Sequence, residues 1–131
     1  MEIHFKIIGF LLIALALVHV TFPKRFNWDK ELNSISLINK QMMLVHTFFI
    51  ALILFLMGLL CLISSKELID TGLGKKISLG LGIFWIIRLL VQFFGYSTSL
   101  WKGKKFETIM HVIFSLFWVY LSIIFLTVYF Y

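Results

Sequence analysis

Four long apolar runs constrain this chain more than any other feature of its sequence. They cover residues 3–22, 42–63, 77–96 and 108–131, and each is long enough for the roughly 20 residues that a helix needs to cross a bilayer. Lipid offers no hydrogen-bonding partner to a backbone amide, so a spanning segment must be a helix or part of a closed barrel. The runs lack the polar–apolar alternation of barrel strands. The sequence therefore predicts four transmembrane helices.

The composition favours lipid over water as the solvent of these helices. Hydrophobic residues make up 61% of the 131 residues and charged residues only 14%, whereas a soluble domain contains about 25% charged residues. A soluble globule of this size has too little interior for so many apolar side chains. We expect an all-α integral membrane protein with one transmembrane domain over residues 1–131, a four-helix bundle of alternately up and down helices. A soluble enzyme, a disordered chain and, with Cys61 as the single cysteine, a disulfide scaffold are excluded.

The distribution of basic residues predicts the orientation of the chain. The first and third connectors contain seven basic residues, which are Lys24, Arg25, Lys30, Lys40, Lys102, Lys104 and Lys105. The N-terminus and the second connector contain four, which are Lys6, Lys66, Lys75 and Lys76. Basic loops stay in the cytoplasm, so we expect both termini outside a plasma (inner) membrane. The net charge of +6 is then matched by anionic lipid headgroups, and nucleic acid is not an expected partner.

The first connector, residues 23–41, carries a helical pattern of its own. Trp28, Leu32, Ile35 and Asn39 recur at helical spacing, with Asn27 before them as an N-cap. We expect Pro23 to end the first long helix, and we expect a short interfacial helix to follow it. The first run also contains Ala14–Leu15–Ala16, which has the form of a signal-peptide cleavage site, but its apolar residues continue beyond that point.

Four polar side chains lie at one depth in the predicted spans. His19, His46, Gln92 and His111 are each three or four residues inside a run, and successive helices run in opposite directions. All four therefore belong to the same membrane face, roughly 4–6 Å inside it at about 1.5 Å per residue. We predict that each helix contributes one of them to a polar layer near the cytoplasmic face.

Arg88 lies near the middle of the third run, where an arginine costs about 2.5–3.5 kcal/mol on insertion. Gln92 follows it at i+4, and Tyr96 continues the same face. Trp85 belongs to that same broad face. The first and second runs carry small-residue stripes that permit close helix packing, which are Gly9, Ala16 and His19 and, on the second run, Thr47, Ala51, Gly58 and Cys61. The fourth run carries a stripe of His111, Ser115, Trp118 and Ser122.

The polar layer supports two classes of function. In the first, His46, His111 and His19 bind a cofactor, either haem b or a transition metal, while Arg88, Gln92 and Tyr96 are the catalytic candidates. In a metal-free form of this hypothesis, the same residues bind a quinone or a lipid headgroup and support redox or proton-coupled chemistry. Whether the chain is an enzyme stays open at this stage.

In the second class, the chain is a non-catalytic accessory or assembly subunit of a larger membrane complex. Its polar layer is then a structural network, and lipid-facing phenylalanines contact other membrane proteins. A transporter or channel is a weaker hypothesis, because no run is broken at its midpoint by Gly or Pro.

Overall fold

The computed structural model describes residues 1–25, 27–95 and 103–130, and these residues form helices and no strand. The predicted all-α class is confirmed. We number the helices in chain order as α1 (Glu2–Val20), α2 (Phe22–Arg25), α3 (Trp28–Glu31), α4 (Leu37–Ile63), α5 (Ser65–Asp70), α6 (Gly72–Phe94) and α7 (Lys105–Phe130), with a 3₁₀ turn at Leu32–Ser34.

Four of these helices are long and apolar enough to cross a membrane. They are α1, α4, α6 and α7, with 19, 27, 23 and 26 residues. The four predicted spans are thereby confirmed as helices, and three of these helices begin before their apolar runs. The second, third and fourth helices begin at Leu37, Gly72 and Lys105, because helical hydrogen bonding continues through polar residues until a cap ends it.

Polar caps fix the starts of α4 and α6. The hydroxyl of Ser36 accepts a hydrogen bond from the backbone N–H of Asn39 at 3.4 Å, and the hydroxyl of Thr71 accepts one from the N–H of Gly74 at 2.9 Å. Both side chains satisfy a backbone donor that has no partner within the first turn of its helix. Each cap therefore adds a turn or more of helix before the apolar run begins.

The first connector contains three helical stretches, which are α2, α3 with its 3₁₀ turn and the first residues of α4, rather than the single helix predicted through Asn39. α3 continues into the 3₁₀ turn at Leu32–Ser34, where extended backbone at Ile35 ends it. Asn27 precedes α3 as expected, but its backbone is left-handed (φ 52°) and its side chain makes no cap hydrogen bond. Pro23 does not end α1, which stops at Val20. It lies instead in the first turn of α2, where a missing N–H costs nothing.

The chain divides into two compact units. The N-terminal unit is Ile3–Ser65, and the C-terminal unit is Lys66–Tyr131 with Met1–Glu2. Whether the chain behaves as the single transmembrane domain expected from its length stays a prediction. Each unit contains two of the four long helices, α1 with α4 and α6 with α7.

In the N-terminal unit, α1 and α4 approach closely at two glycines. A Cβ atom added to Gly58 would lie 2.8 Å from the carbonyl oxygen of Gly9 and 2.8 Å from Cγ1 of Ile13. The expected small-residue contact is therefore present. The carbonyl oxygen of Gly9 and the backbone nitrogen of Ile13, 3.2 Å from the same position, cannot move without shifting α1.

We expect Gly58→Ala to lower the free energy of unfolding by about 1–3 kcal/mol, because the added methyl group overpacks this crossing. Gly80→Ala is the matched control, since a Cβ at Gly80 meets no atom within 4 Å and alanine favours a helix by about 1 kcal/mol over glycine. The measurement is the heat-induced loss of helical circular dichroism in detergent. Equal midpoints for the two variants would show that α1 and α4 do not cross at Gly58.

In the C-terminal unit, α6 packs along α7, and the interface is formed largely by buried aromatic and aliphatic side chains. A Cβ on Gly82 would lie 2.7 Å from Cδ2 of Leu126, so the two helices are also in close contact at this level. The short helix α5 contacts α6 through Ser78, whose hydroxyl donates to the carbonyl oxygen of Leu68 at 3.4 Å. This packing positions the polar side chains of α6 and α7 against each other.

Candidate functional site: a polar cluster between α6 and α7

Two side chains of α6 and two of α7 form a hydrogen-bonded group, which we call the α6–α7 polar cluster. Its members are Arg88, Gln92, His111 and Trp118. Gln92 is at its centre and is 7% exposed, while Arg88 and His111 are half-buried. The cluster lies near the end of α6 and the start of α7, so both helices bring it to the same end of the pair.

The amide group of Gln92 contacts the other three members. Its Oε1 accepts from an Nη1–H of Arg88 at 3.3 Å and from the indole Nε1–H of Trp118 at 3.4 Å. Its Nε2 lies 2.9 Å from Nδ1 of His111. The predicted i+4 relation of Arg88 and Gln92 is therefore a direct hydrogen bond.

These contacts determine which nitrogen of His111 carries the proton. Arginine and tryptophan can only donate hydrogen bonds, so the Gln92 atom that faces both of them must be the oxygen. The amide NH₂ then faces His111 and donates to Nδ1, which must be the unprotonated nitrogen. The imidazole is consequently neutral with its hydrogen on Nε2, and its second nitrogen acts as a hydrogen-bond donor.

Trp118 connects the cluster to a layer of aromatic rings. The ring of Trp85 stacks on it with centroids 5.0 Å apart and planes 9° apart, and Cζ of Arg88 lies 5.0 Å from its centroid. Phe114 and Phe117 also contact the indole, at 5.8 and 5.2 Å. A guanidinium over an indole face gains a cation–π attraction that strengthens away from water. The aromatic layer therefore stabilises the charge of Arg88 within a helix that is apolar enough to cross a membrane.

Trp85 carries a buried donor. Its side chain is 2% exposed, and in the part of the chain that the structure describes its Nε1 has no hydrogen-bond partner. Leaving such a group unpaired costs about 1–3 kcal/mol. Trp85 precedes Arg88 by one turn of α6, so a further N–H donor is present on the helix that carries the guanidinium.

The other two histidines of the predicted layer belong to the N-terminal unit. His19 lies 2.9 Å through Nδ1 from the carbonyl oxygen of Leu15 and packs on the ring of Phe22 at 4.5 Å. Since a carbonyl only accepts, Nδ1 of His19 is protonated, which is the opposite tautomer from that of His111. His46 is exposed at one end of a shallow groove of about 420 Å³, lined otherwise by apolar side chains of α4. That the four residues form one shared layer stays a prediction.

The remaining candidates have separate outcomes. Tyr96 lies outside the described residues. Among those that are described, no group of three or more His, Cys, Asp or Glu side chains is placed to hold a metal ion.

Sequence reasoning assigned Trp118 to packing and so missed its hydrogen bond to Gln92. The only pattern that pointed to it was its position at i+7 from His111, on the same face of α7.

No family model, curated protein or solved structure matches the chain. The class of the molecule is given by its fold: a helical protein with four helices that are long and apolar enough to cross a membrane. Any finer assignment must come from the chemistry of the α6–α7 polar cluster.

Proposed function

We propose that this chain is an integral membrane protein whose α6–α7 polar cluster binds the carbonyl oxygens of a quinone-type molecule dissolved in the bilayer. The observation that carries the proposal is the tautomer of His111, with its hydrogen on Nε2, in a cluster where the same Gln92 amide also contacts the guanidinium of Arg88. Ionisable residues within membrane helices mark functional sites by default because their insertion is costly. Two N–H donors, one of them charged, suit an oxygen acceptor.

The same tautomer disfavours haem b or a transition metal at His111. A metal-binding imidazole offers the lone pair of one nitrogen and donates the N–H of the other to an acceptor. His111 has the reverse arrangement, since Nδ1 already accepts from Gln92. A lone pair on Nε2 would require a hydrogen on Nδ1, directed at the NH₂ of Gln92. The amide cannot rotate to relieve that conflict without turning its NH₂ towards Arg88 and Trp118.

Each member of the cluster has a separate role in this proposal. Arg88 supplies the charge-assisted donor, which is about twice as strong as a neutral one. His111 supplies a neutral donor, and Gln92 is a positioning residue that holds both. The aromatic rings around Trp118 offer flat apolar surfaces to a conjugated ring. The buried N–H of Trp85 is a further donor for an oxygen that reaches it.

The test uses the purified full chain in nanodiscs and a short-chain benzoquinone as the probe. We expect saturable binding, and a shift of the His111 Nε2 resonance in ¹⁵N NMR as its N–H bonds to the carbonyl. The corresponding 1,4-dimethoxybenzene keeps the flat ring but has weaker acceptors, so it should bind about tenfold less tightly. His111→Phe should weaken quinone binding, and His4→Phe, on α1, should not.

Equal binding of the two probes would contradict a carbonyl site, as would a free protein whose His111 is protonated on Nδ1. A second candidate function is that of an accessory subunit whose polar cluster is a purely structural network. The observation that favours it is that the Gln92 amide makes three contacts within the cluster. This second function predicts no saturable probe binding, together with unfolding when Gln92 is replaced.

For the setting of the site, we propose a plasma (inner) membrane with both termini outside and the cluster near the cytoplasmic face. The support is the excess of basic residues in the first and third connectors, seven against four. The side on which a C-terminal reporter enzyme is active distinguishes this orientation from its inverse.

A further inference from the structure

A cavity of about 340 Å³ lies at the opposite end of the α6–α7 pair from the polar cluster. It is lined by the end of α5, the start of α6, the end of α7 and the first residue of the chain. The lining residues are Met1, Ile69, Asp70, Lys75, Thr127 and Val128. Lys75 is three residues after the start of α6, and Thr127 is three residues before the end of α7. In a membrane-spanning pair, these positions are at the level of the lipid headgroups.

Two side chains of opposite charge line this cavity without pairing, and Met1 adds the N-terminal amino group. Neither the carboxylate of Asp70 nor the ammonium of Lys75 makes an ion pair or a side-chain hydrogen bond with another residue that the structure describes. The hydroxyl of Thr127 donates to the carbonyl oxygen of Ile123 at 2.6 Å, which leaves its own oxygen able to accept. The lining thus supplies the cationic side chain of Lys75, the N-terminal amino group of Met1 and two acceptors, together with apolar side chains.

We propose that this cavity binds the headgroup of a phospholipid with a primary amine, phosphatidylethanolamine being the probe of that class. The ammonium of Lys75 would pair with the phosphate, while Asp70 and Thr127 would accept from the lipid ammonium. A quaternary amine has no N–H to donate, and a glycerol headgroup has no positive charge. The lining also includes the apolar side chains of Ile69 and Val128, which suit a lipid better than a soluble amine. This site is independent of the quinone proposal.

The test is native mass spectrometry of the full chain with phosphatidylethanolamine, phosphatidylcholine or phosphatidylglycerol of matched acyl chains. We expect the first lipid to remain bound about tenfold more tightly than the other two, as one charge-assisted contact predicts. Asp70→Asn and Lys75→Gln should each remove this preference. Glu67→Gln and Lys76→Gln change the same charges on the same two helices without lining the cavity, and should retain it.

A double variant, Asp70→Lys with Lys75→Asp, keeps both charges and should restore part of the preference, which separates lost recognition from lost folding. The proposal is overturned if the three lipids bind equally, or if the cavity variants match their controls. Stronger binding of phosphatidylglycerol, lost only in Lys75→Gln, would overturn the assignment of Asp70. Displacement of the lipid by soluble phosphoethanolamine at equal affinity would overturn the assignment to a lipid.

Discussion

Arg88→Met is expected to weaken binding of the benzoquinone probe by roughly ten- to a hundredfold, which corresponds to one hydrogen bond from a charged group. The guanidinium is the only charged member of the α6–α7 polar cluster, and it is held over Trp118 and against Gln92. Its interaction with a carbonyl oxygen is strong because membrane and protein screen it far less than water does. Methionine is apolar and unbranched, so it can occupy much of the same space.

Stability should respond differently from binding in this variant. Removing Arg88 eliminates a charge that costs about 2.5–3.5 kcal/mol in a membrane span, and the bond from Trp118 to Gln92 remains. We therefore expect Arg88→Met to fold, with His111 still unprotonated on Nδ1 in its ¹⁵N spectrum. Lys66→Met removes a positive charge from an exposed position in α5 and serves as the control. If quinone binding is as tight in Arg88→Met as in Lys66→Met, the guanidinium has a structural role only.

The four spans were predictable because each is a continuous apolar run, and lipid leaves such a run only one common conformation. Their starts were less predictable. Ser36 and Thr71 cap α4 and α6 before the apolar residues begin, and hydropathy does not register a side-chain cap. The bond from Arg88 to Gln92 followed from spacing within one helix. The contact from Gln92 to His111 depends on how α6 and α7 are rotated about their axes, and the sequence predicted only a shared depth for them.

The tautomers of the histidines are even less predictable from the sequence. His19 and His111 have equivalent positions in the predicted layer, yet His19 is protonated on Nδ1 and His111 on Nε2. The difference arises from the partner of Nδ1, a backbone carbonyl in one case and a side-chain amide in the other. A pattern of residue types cannot distinguish these partners, although they decide whether an imidazole offers a lone pair or a hydrogen. At His111 this distinction favours an oxygen acceptor over a metal ion as the partner of Nε2.

Gln92→Glu should invert the chemistry of His111, because it exchanges an amide donor for a second acceptor at the centre of the cluster. One carboxylate oxygen can still accept from Arg88 and Trp118, as Oε1 of Gln92 does. The other oxygen replaces the NH₂ group, so Nδ1 of His111 must now donate to it. Arg88 balances the new negative charge, and the imidazole therefore stays neutral with its lone pair on Nε2.

Two measurements follow from this inversion. In ¹⁵N NMR, Nδ1 of His111 should change from an unprotonated to a protonated nitrogen, and Nε2 should change in the opposite sense. Benzoquinone binding should weaken by about tenfold, since a neutral donor to its carbonyl is replaced by a lone pair. Gln41→Glu makes the same substitution at an exposed position in α4 and should leave both observables unchanged. A histidine that keeps Nδ1 unprotonated in Gln92→Glu would show that Gln92 does not set the tautomer, and the argument for an oxygen-binding site would fail with it.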